Sequence, residues 1–186
     1  MGYVKRFFFN AIQDSHSFLR DIVVELFRVV LNQRSDAQRA LRRILSSYLD
    51  QAPEQICFEK NPHGKLLHPK IFFSLSHSHH LALIAISKAE PIGVDIEYLR
   101  EVPSQLAIAK RFFSPFEDPE KTFFEIWTAK EALVKAHGQR LIDHIHNPVA
   151  WDRVVPILGI DNYVGHLAFQ NPQHDLEVPD VSDFTI

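Results

Sequence analysis

Residues 92–100 read IGVDIEYLR. Ile92, Val94 and Ile96 alternate with Asp95 and Glu97, which is the period of a strand, so the apolar residues share one face and the two carboxylates the other. Side chains at i and i+2 on a strand stand roughly 7 Å apart. Two carboxylates that close repel each other unless a cation lies between them. Hard oxygen ligands in small number suit Mg²⁺, which keeps several waters and takes further ligands from phosphates. Taken by itself, D-x-E reads first as one solvated strand face.

Working outward, IFFSLS (71–76) and LALIAIS (81–87) are strand-like runs joined by the polar residues His77 to His80. KAEP then turns the chain into IGVDIEYLR, so residues 71–97 are expected to form an antiparallel meander. Upstream, RSDAQRALRRILSSYLD (34–50) places Ala37, Leu41, Ile44, Leu45 and Tyr48 at helical spacing among four arginines. Ser35 or Asp36 is placed to cap its start. Residues 17–33 show near-helical spacing, with a strand reading of IVVELFRVV in competition. Gln51–Pro69 is irregular, punctuated by Pro53, Pro62, Gly64 and Pro69. Downstream, QLAIAKRFF is amphipathic and SPFEDPE interrupts it. KTFFEIWTAKEALVKAHG predicts a long helix ending at Gly138, and the pieces WDRVVPILGI and YVGHLAFQ are expected to be strands.

Composition bounds the classes open to this chain. With 186 residues, 46% apolar and 23% charged, it reads as an ordinary globular protein of one or two domains. A formal charge of −3 gives no global reason to expect nucleic-acid binding. No run of about 18 apolar residues suggests a membrane span, and Asp14 comes too early for a signal-peptide core. Cys57 is the one cysteine, which suits a reducing cytoplasm.

Three more constellations carry chemistry. In WTAKEALVKAHG (127–138), Glu131 and Lys135 are i, i+4 neighbours, and Lys130 adjoins Glu131. The plain reading is a surface salt bridge; the functional one makes Glu131 a third metal ligand and Lys135 a partner for phosphate charge. In FFSLSHSHH (72–80) the histidines invite a zinc reading, but they share one loop and no second thiol accompanies Cys57. Ser76 and His77 at a strand end suit a phosphate instead. The basic helix and Lys65 in PHGKLL add positive charge far in sequence from the acidic pair, where a solvated basic face is the plain alternative.

The succession RSDAQRALRR, GK, SLSHS, GVDIE, KRFFSPFE and WTAKEALVKAHG closely resembles the 4′-phosphopantetheinyl transferases of the Sfp type, over about residues 34–141. The resemblance implies an α+β fold of two pseudo-symmetric halves, each a helix packed on an antiparallel sheet. The site would lie in the cleft between halves near 1–90 and 91–186. It implies a cytoplasmic, monomeric enzyme that moves the phosphopantetheine arm of coenzyme A to a serine of an acyl or peptidyl carrier protein. Mg²⁺, or Mn²⁺ in its place, would be held by Asp95, Glu97 and Glu131. Glu117 would be the general base, and Lys135 would support the departing 3′,5′-ADP. Arg34, Arg39, Lys65, Ser76, His77, Lys130 and Lys135 would contact coenzyme A.

The chain departs from that pattern at Gly138-Gln139-Arg140-Leu141, where the family commonly has a second glycine, and in the short interval from Glu117 to Trp127. Arg140 takes a positive φ less readily than glycine, so a different local turn is expected. These departures leave open a non-catalytic relative that holds coenzyme A or a carrier protein without turnover. The carrier could be of the fatty-acid, polyketide or nonribosomal-peptide kind. A different nucleotide enzyme is disfavoured, because neither G-x-x-x-x-G-K-[ST] nor G-x-G-x-x-G occurs.

Overall fold

The computed structural model describes residues 4–11, 22–118 and 121–171. In chain order these form β1 (Val4–Ala11), β2 (Ile22–Val30), α1 (Asp36–Leu49), β3 (Glu59–Lys60), β4 (Leu66–Leu67), β5 (Phe72–Ser78) and β6 (Leu81–Ser87). After them come β7 (Ile92–Tyr98), α2 (Gln105–Phe112), α3 (Phe123–His137), α4 (Leu141–His144), β8 (Val154–Ile157) and β9 (Tyr163–Phe169). One antiparallel sheet runs β1-β2-β6-β5 and a second runs β7-β9-β8, with β3 and β4 as a small hairpin.

Each sheet has two covered faces, and the alternation of the strands shows how. On β6, Ala82, Ile84 and Ile86 pack with Leu41 and Leu45 of α1, while Leu83 and Ala85 face the other way. There they meet Ile92, Val94 and Ile96 of β7 and Leu167 and Phe169 of β9. The far face of the second sheet is covered by α3, through Ala129, Ala132 and Ala136. The order is therefore α1, first sheet, second sheet, α3. Strands buried on both faces lose their polar alternation, which is why LALIAIS reads as a continuous apolar run.

Two sequence expectations are revised here. Of the two readings of residues 17–33, the helical one gives way to the competing strand at 22–30, while residues 17–21 lie outside the described residues. The near-helical spacing arose because both faces of β2 are apolar: Val24 and Leu26 enter the core between the sheets, Phe27 and Val29 the core under α1. The meander over 71–97 is also wrong at its third strand. β5 and β6 form a hairpin, but β7 leaves that sheet and pairs with β9. The carboxylate face of β7 is covered by α3, and β7 is an edge strand of the second sheet rather than the third strand of the first.

The helices follow their capping chemistry. α3 opens with a capping box, Thr122 and Glu125 each accepting the other's backbone N–H, and closes at Gly138 with φ 66°. At the start of α1, Ser35 makes no side-chain cap. Asp36 instead accepts the N–H groups of Asn32 and Gln33 at 3.0 Å. Arg140 has φ −102°, so its turn is made without a left-handed residue at that position.

Candidate active site

The two sheets meet where β5 runs beside β7, and no backbone ladder joins them there. Side chains take its place. Ser74, Ser76 and Ser78 alternate on β5 and point to one side. The N–H of Val94 donates to Ser74 Oγ (3.0 Å) and the N–H of Tyr98 to Ser78 Oγ (3.1 Å). The carbonyls along the same edge accept ammonium groups: Lys65 Nζ donates to Ile92 O and Lys135 Nζ to Val94 O, each at 3.2 Å. Lys65 Nζ also donates to Lys135 O at 2.5 Å. The edge of β7 is thus satisfied by two lysines and two serines.

Asp95 and Glu97 stand on this seam. Asp95 is buried, and its Oδ1 accepts both Ser76 Oγ (2.6 Å) and Lys135 Nζ (2.7 Å). Glu97 Oε2 accepts both Ser78 Oγ (2.8 Å) and Arg100 Nη1 (2.9 Å). In each carboxylate the donors converge on one oxygen, and the other oxygen has no hydrogen-bond partner among the described residues. Glu131 faces them from α3. It is half-buried, and among the described residues it forms neither a hydrogen bond nor an ion pair at contact distance.

Electrostatics follow from that crowding. Burial raises the Asp95 carboxyl above its usual range, against the pull of Lys135 and Ser76. Glu131 is raised by burial and by Asp95 and Glu97, with Lys135 opposing. Burial and the neighbouring Lys135 lower Lys65 to about 8. Three mutually repelling carboxylates with uncommitted oxygens are a donor set that fits a hard divalent cation such as Mg²⁺. As they stand, no three His, Cys, Asp or Glu side chains among the described residues are already gathered as a metal cage. Lys135 holds the place nearest Asp95.

α3 reaches this position because Gly93 lets it. A Cβ at Gly93 would stand 1.9 Å from the carbonyl oxygen of Ala132 and 2.5 Å from the nitrogen of Ala136. With small residues Ala129, Ala132 and Ala136 on the helix, the backbones approach closely enough for Glu131 and Lys135 to reach β7.

Two clefts flank the seam. One, of about 570 Å³, is lined by Arg34, His77, His79, Glu97, Tyr98 and Arg100 among others. Arg34 Nε donates to His77 Nε2 at 3.1 Å, and the His79 ring stacks on Tyr98 with centroids 4.7 Å apart. The other, of about 400 Å³, is lined by residues including Lys65, Glu131, Lys135 and Arg140.

Of the residues singled out from sequence, Ser76, Asp95, Glu97, Glu131, Lys65 and Lys135 come together at the seam, and Arg34 and His77 line the adjoining cleft. Ser76 gives its hydroxyl to Asp95. Arg39 lines neither cleft; it pairs with Asp36 at 2.6 Å and is largely exposed. Glu117 and Lys130 form a buried pair with each other at 2.5 Å, and no hydrogen bond or ion pair joins them to the acidic cluster. The pair is tied to the chain after α4: Lys130 donates to Asn147 O, and Glu117 Oε2 accepts from Val149 N. Sequence reasoning missed Ser78, Arg100 and Gly93. The S-x-S-x-S alternation at 74–78 was visible, but without the neighbouring strand nothing said what it faced.

His166 was missed as well. It lies opposite Asp95 in the register of β7 and β9, buried beneath α3, with Nδ1 at 2.7 Å from Thr128 Oγ1 and its ring edge-on to Trp151. Burial pushes it down to about 4; Glu125 pulls the other way and Lys121 adds slightly to the lowering. The neutral ring is the folded form. The unfolded chain takes up this proton near pH 6.5 and the folded one only near pH 4. The stability His166 confers is therefore complete above pH 6.5 and falls as pH drops towards 4, by up to about 3 kcal/mol. Urea midpoints from pH 7.5 to 4 should show this slope, and it should flatten in His166→Gln.

Residues 91–153 match the family model described as the 4′-phosphopantetheinyl transferase superfamily. The chain is 40% identical over 114 residues to "4′-phosphopantetheinyl transferase HetI" of Nostoc sp., covering 53% of this chain and 48% of that protein. It is 35% identical over 138 residues to "4′-phosphopantetheinyl transferase psf-1" of Bacillus pumilus, covering 66% and 58%. It is 32% identical over 127 residues to "4′-phosphopantetheinyl transferase Sfp" of Bacillus subtilis, covering 58% and 55%. The chain spans about half the length of the curated relatives it matches. Among the described residues no helix is long and apolar enough to cross a membrane.

Proposed function

We propose that this chain, whose residues 91–153 match the 4′-phosphopantetheinyl transferase superfamily, transfers the phosphopantetheine arm of coenzyme A to a serine of a carrier protein. The observation that carries this is the meeting of Lys135 with Asp95, Glu97 and Glu131 at a seam flanked by two clefts. Transfer to a serine hydroxyl forms a bond from the serine oxygen to the phosphorus that bears pantetheine. It breaks the bond from that phosphorus to 3′,5′-ADP. Such chemistry rests on positioning and on neutralising charge around the phosphorus.

Each residue has a part in that scheme. Asp95, Glu97 and Glu131 would hold Mg²⁺, with Mn²⁺ an equivalent at an oxygen site. The ion, when bound, neutralises charge on the pyrophosphate. Lys135 then faces the leaving 3′,5′-ADP, and Lys65 beside it adds a second ammonium group. Arg34 and His77, already in contact, suit a phosphate at the nucleotide end, and Arg39 would have to leave Asp36 to join them. Glu117 takes the serine proton, with Lys130 balancing its charge in a buried setting. A monomer with its site between two halves is the arrangement we favour, each half being a sheet with one helix on its outer face.

Mass spectrometry of apo carrier proteins incubated with this protein, coenzyme A and Mg²⁺ tests the reading. Addition of the phosphopantetheine arm is the expected result. Coenzyme A binding without modification of any fatty-acid, polyketide or peptide carrier would sink it. Glu117→Gln should lower turnover about 10²-fold with coenzyme A affinity nearly unchanged; equal loss of both would remove Glu117 from the base role.

A further inference from the structure

The alternate serines of β5 do two different jobs, and the geometry separates them. Ser74 accepts a backbone N–H and touches no carboxylate. Ser78 accepts the N–H of Tyr98 at 3.1 Å and donates to Glu97 Oε2 at 2.8 Å, so one hydroxyl fixes both the backbone and the side chain of the acidic strand. Its oxygen accepts from the strand while its proton goes to Glu97.

We propose that Ser78 is a positioning residue for Glu97, holding one carboxylate oxygen so that the other is left for a metal ion. Resting on the functional reading above, this extends it to a side chain outside the metal ligands. Glu97 has two donors, Ser78 and Arg100, and both take Oε2. Arg100 is about half exposed, but it also donates to Tyr98 O at 3.0 Å and lies over the Phe124 ring, so it shares the hold on Oε2. Ser78 is partly buried, has one rotatable bond to its hydroxyl and is held by the backbone of β7. Ser78 is therefore the less exposed of the two donors on Oε2, and with Oε2 held Oε1 is the uncommitted oxygen. A glutamate has three rotatable bonds, and without this anchor its carboxylate turns more freely. Ser76 acts similarly on Asp95, where Lys135 shares the task, so Ser78 is the position at which the effect is separable. Partners that orient a metal ligand typically change metal affinity by 10–100-fold.

The test uses Mn²⁺ as the probe, titrated by electron paramagnetic resonance into the full chain with saturating coenzyme A and no carrier. Ser78→Ala is expected to weaken Mn²⁺ about tenfold, with coenzyme A affinity unchanged. Ser78→Thr, which keeps the hydroxyl, should restore it. Ser74→Ala, which removes a rung of the seam without touching a carboxylate, should lower the melting temperature and leave Mn²⁺ affinity in place. Should Ser78→Ala fail to fold, Ser78→Cys keeps the volume with a weak donor and takes its place in the same titration. Wild-type Mn²⁺ affinity in both Ser78→Ala and Ser78→Cys would overturn the positioning role alone. Equal weakening by Ser74→Ala would reduce Ser78 to a structural rung. Absence of Mn²⁺ binding by the wild-type chain would overturn the metal reading together with the positioning role.

Discussion

Gly93→Ala is expected to cost about 4 kcal/mol of stability or more, measured as the shift in urea-unfolding free energy. A Cβ 1.9 Å from a backbone carbonyl oxygen cannot be absorbed by a rotamer change, because neither partner is a side-chain tip. Either α3 lifts from β7 or β7 shifts within its sheet. Lifting α3 opens the packing of Ala129, Ala132 and Ala136, and shifting β7 disturbs Ile92, Val94 and Ile96 in the main core. Both routes also carry Glu131 and Lys135 away from Asp95. The loss of stability should therefore come with loss of any activity at the seam, even at temperatures where the variant is still folded. A Gly93→Ala protein within about 1 kcal/mol of wild type would mean that the helix does not approach the strand this closely.

Asp95→Asn should separate stability from activity. The amide keeps an oxygen at the place where Ser76 and Lys135 donate, and it removes a buried charge whose desolvation outweighs both attractions. Since ionised Asp95 has its carboxyl raised in the fold, it costs stability at neutral pH. That cost disappears as pH falls and the folded state binds the proton more tightly than the unfolded one. Neutralising the residue should leave stability at pH 7 unchanged or slightly higher. If the proposed function holds, metal-dependent transfer should nevertheless fall on the order of 10²–10³-fold, since one of the three anionic ligands it assigns would be lost. Transfer at the wild-type rate would remove Asp95 from the metal site. A large loss of stability would show instead that Asp95 is held mainly by its pairing with Lys135.

Much of this site was legible before any coordinates. Asp95, Glu97, Glu131 and Lys135 announced themselves through strand and helix periodicity, and both periods hold in β7 and α3. The long helix ending at Gly138 and the two late strands followed from capping and alternation. What periodicity could not give was the partner of each strand. Residues 71–97 carry three runs at hairpin spacing, so local rules favoured a meander. β7 pairs instead with β9, some 70 positions away in sequence, and no local pattern encodes that partner. The same limit hid Ser78, whose function depends on a strand it does not pair with. It also hid the contact of Ser76 with Asp95. For IVVELFRVV the spacing left helix and strand both open, because a strand covered on both faces loses its period of two and imitates the spacing of a helix.

The seam between β5 and β7 has a consequence for solubility. A bare strand edge is a template on which other chains can add, and proteins commonly protect such edges with lysine and with polar groups turned inward. Here Lys65, Lys135, Ser74 and Ser78 occupy the backbone groups that an incoming strand would need. The charges that would serve the reaction thus also act as gatekeepers against self-association. Variants that strip Lys135 should be watched for turbidity and growth in particle size as well as for lost turnover, since one substitution removes a charge from the proposed site and one of the four groups that cap the edge.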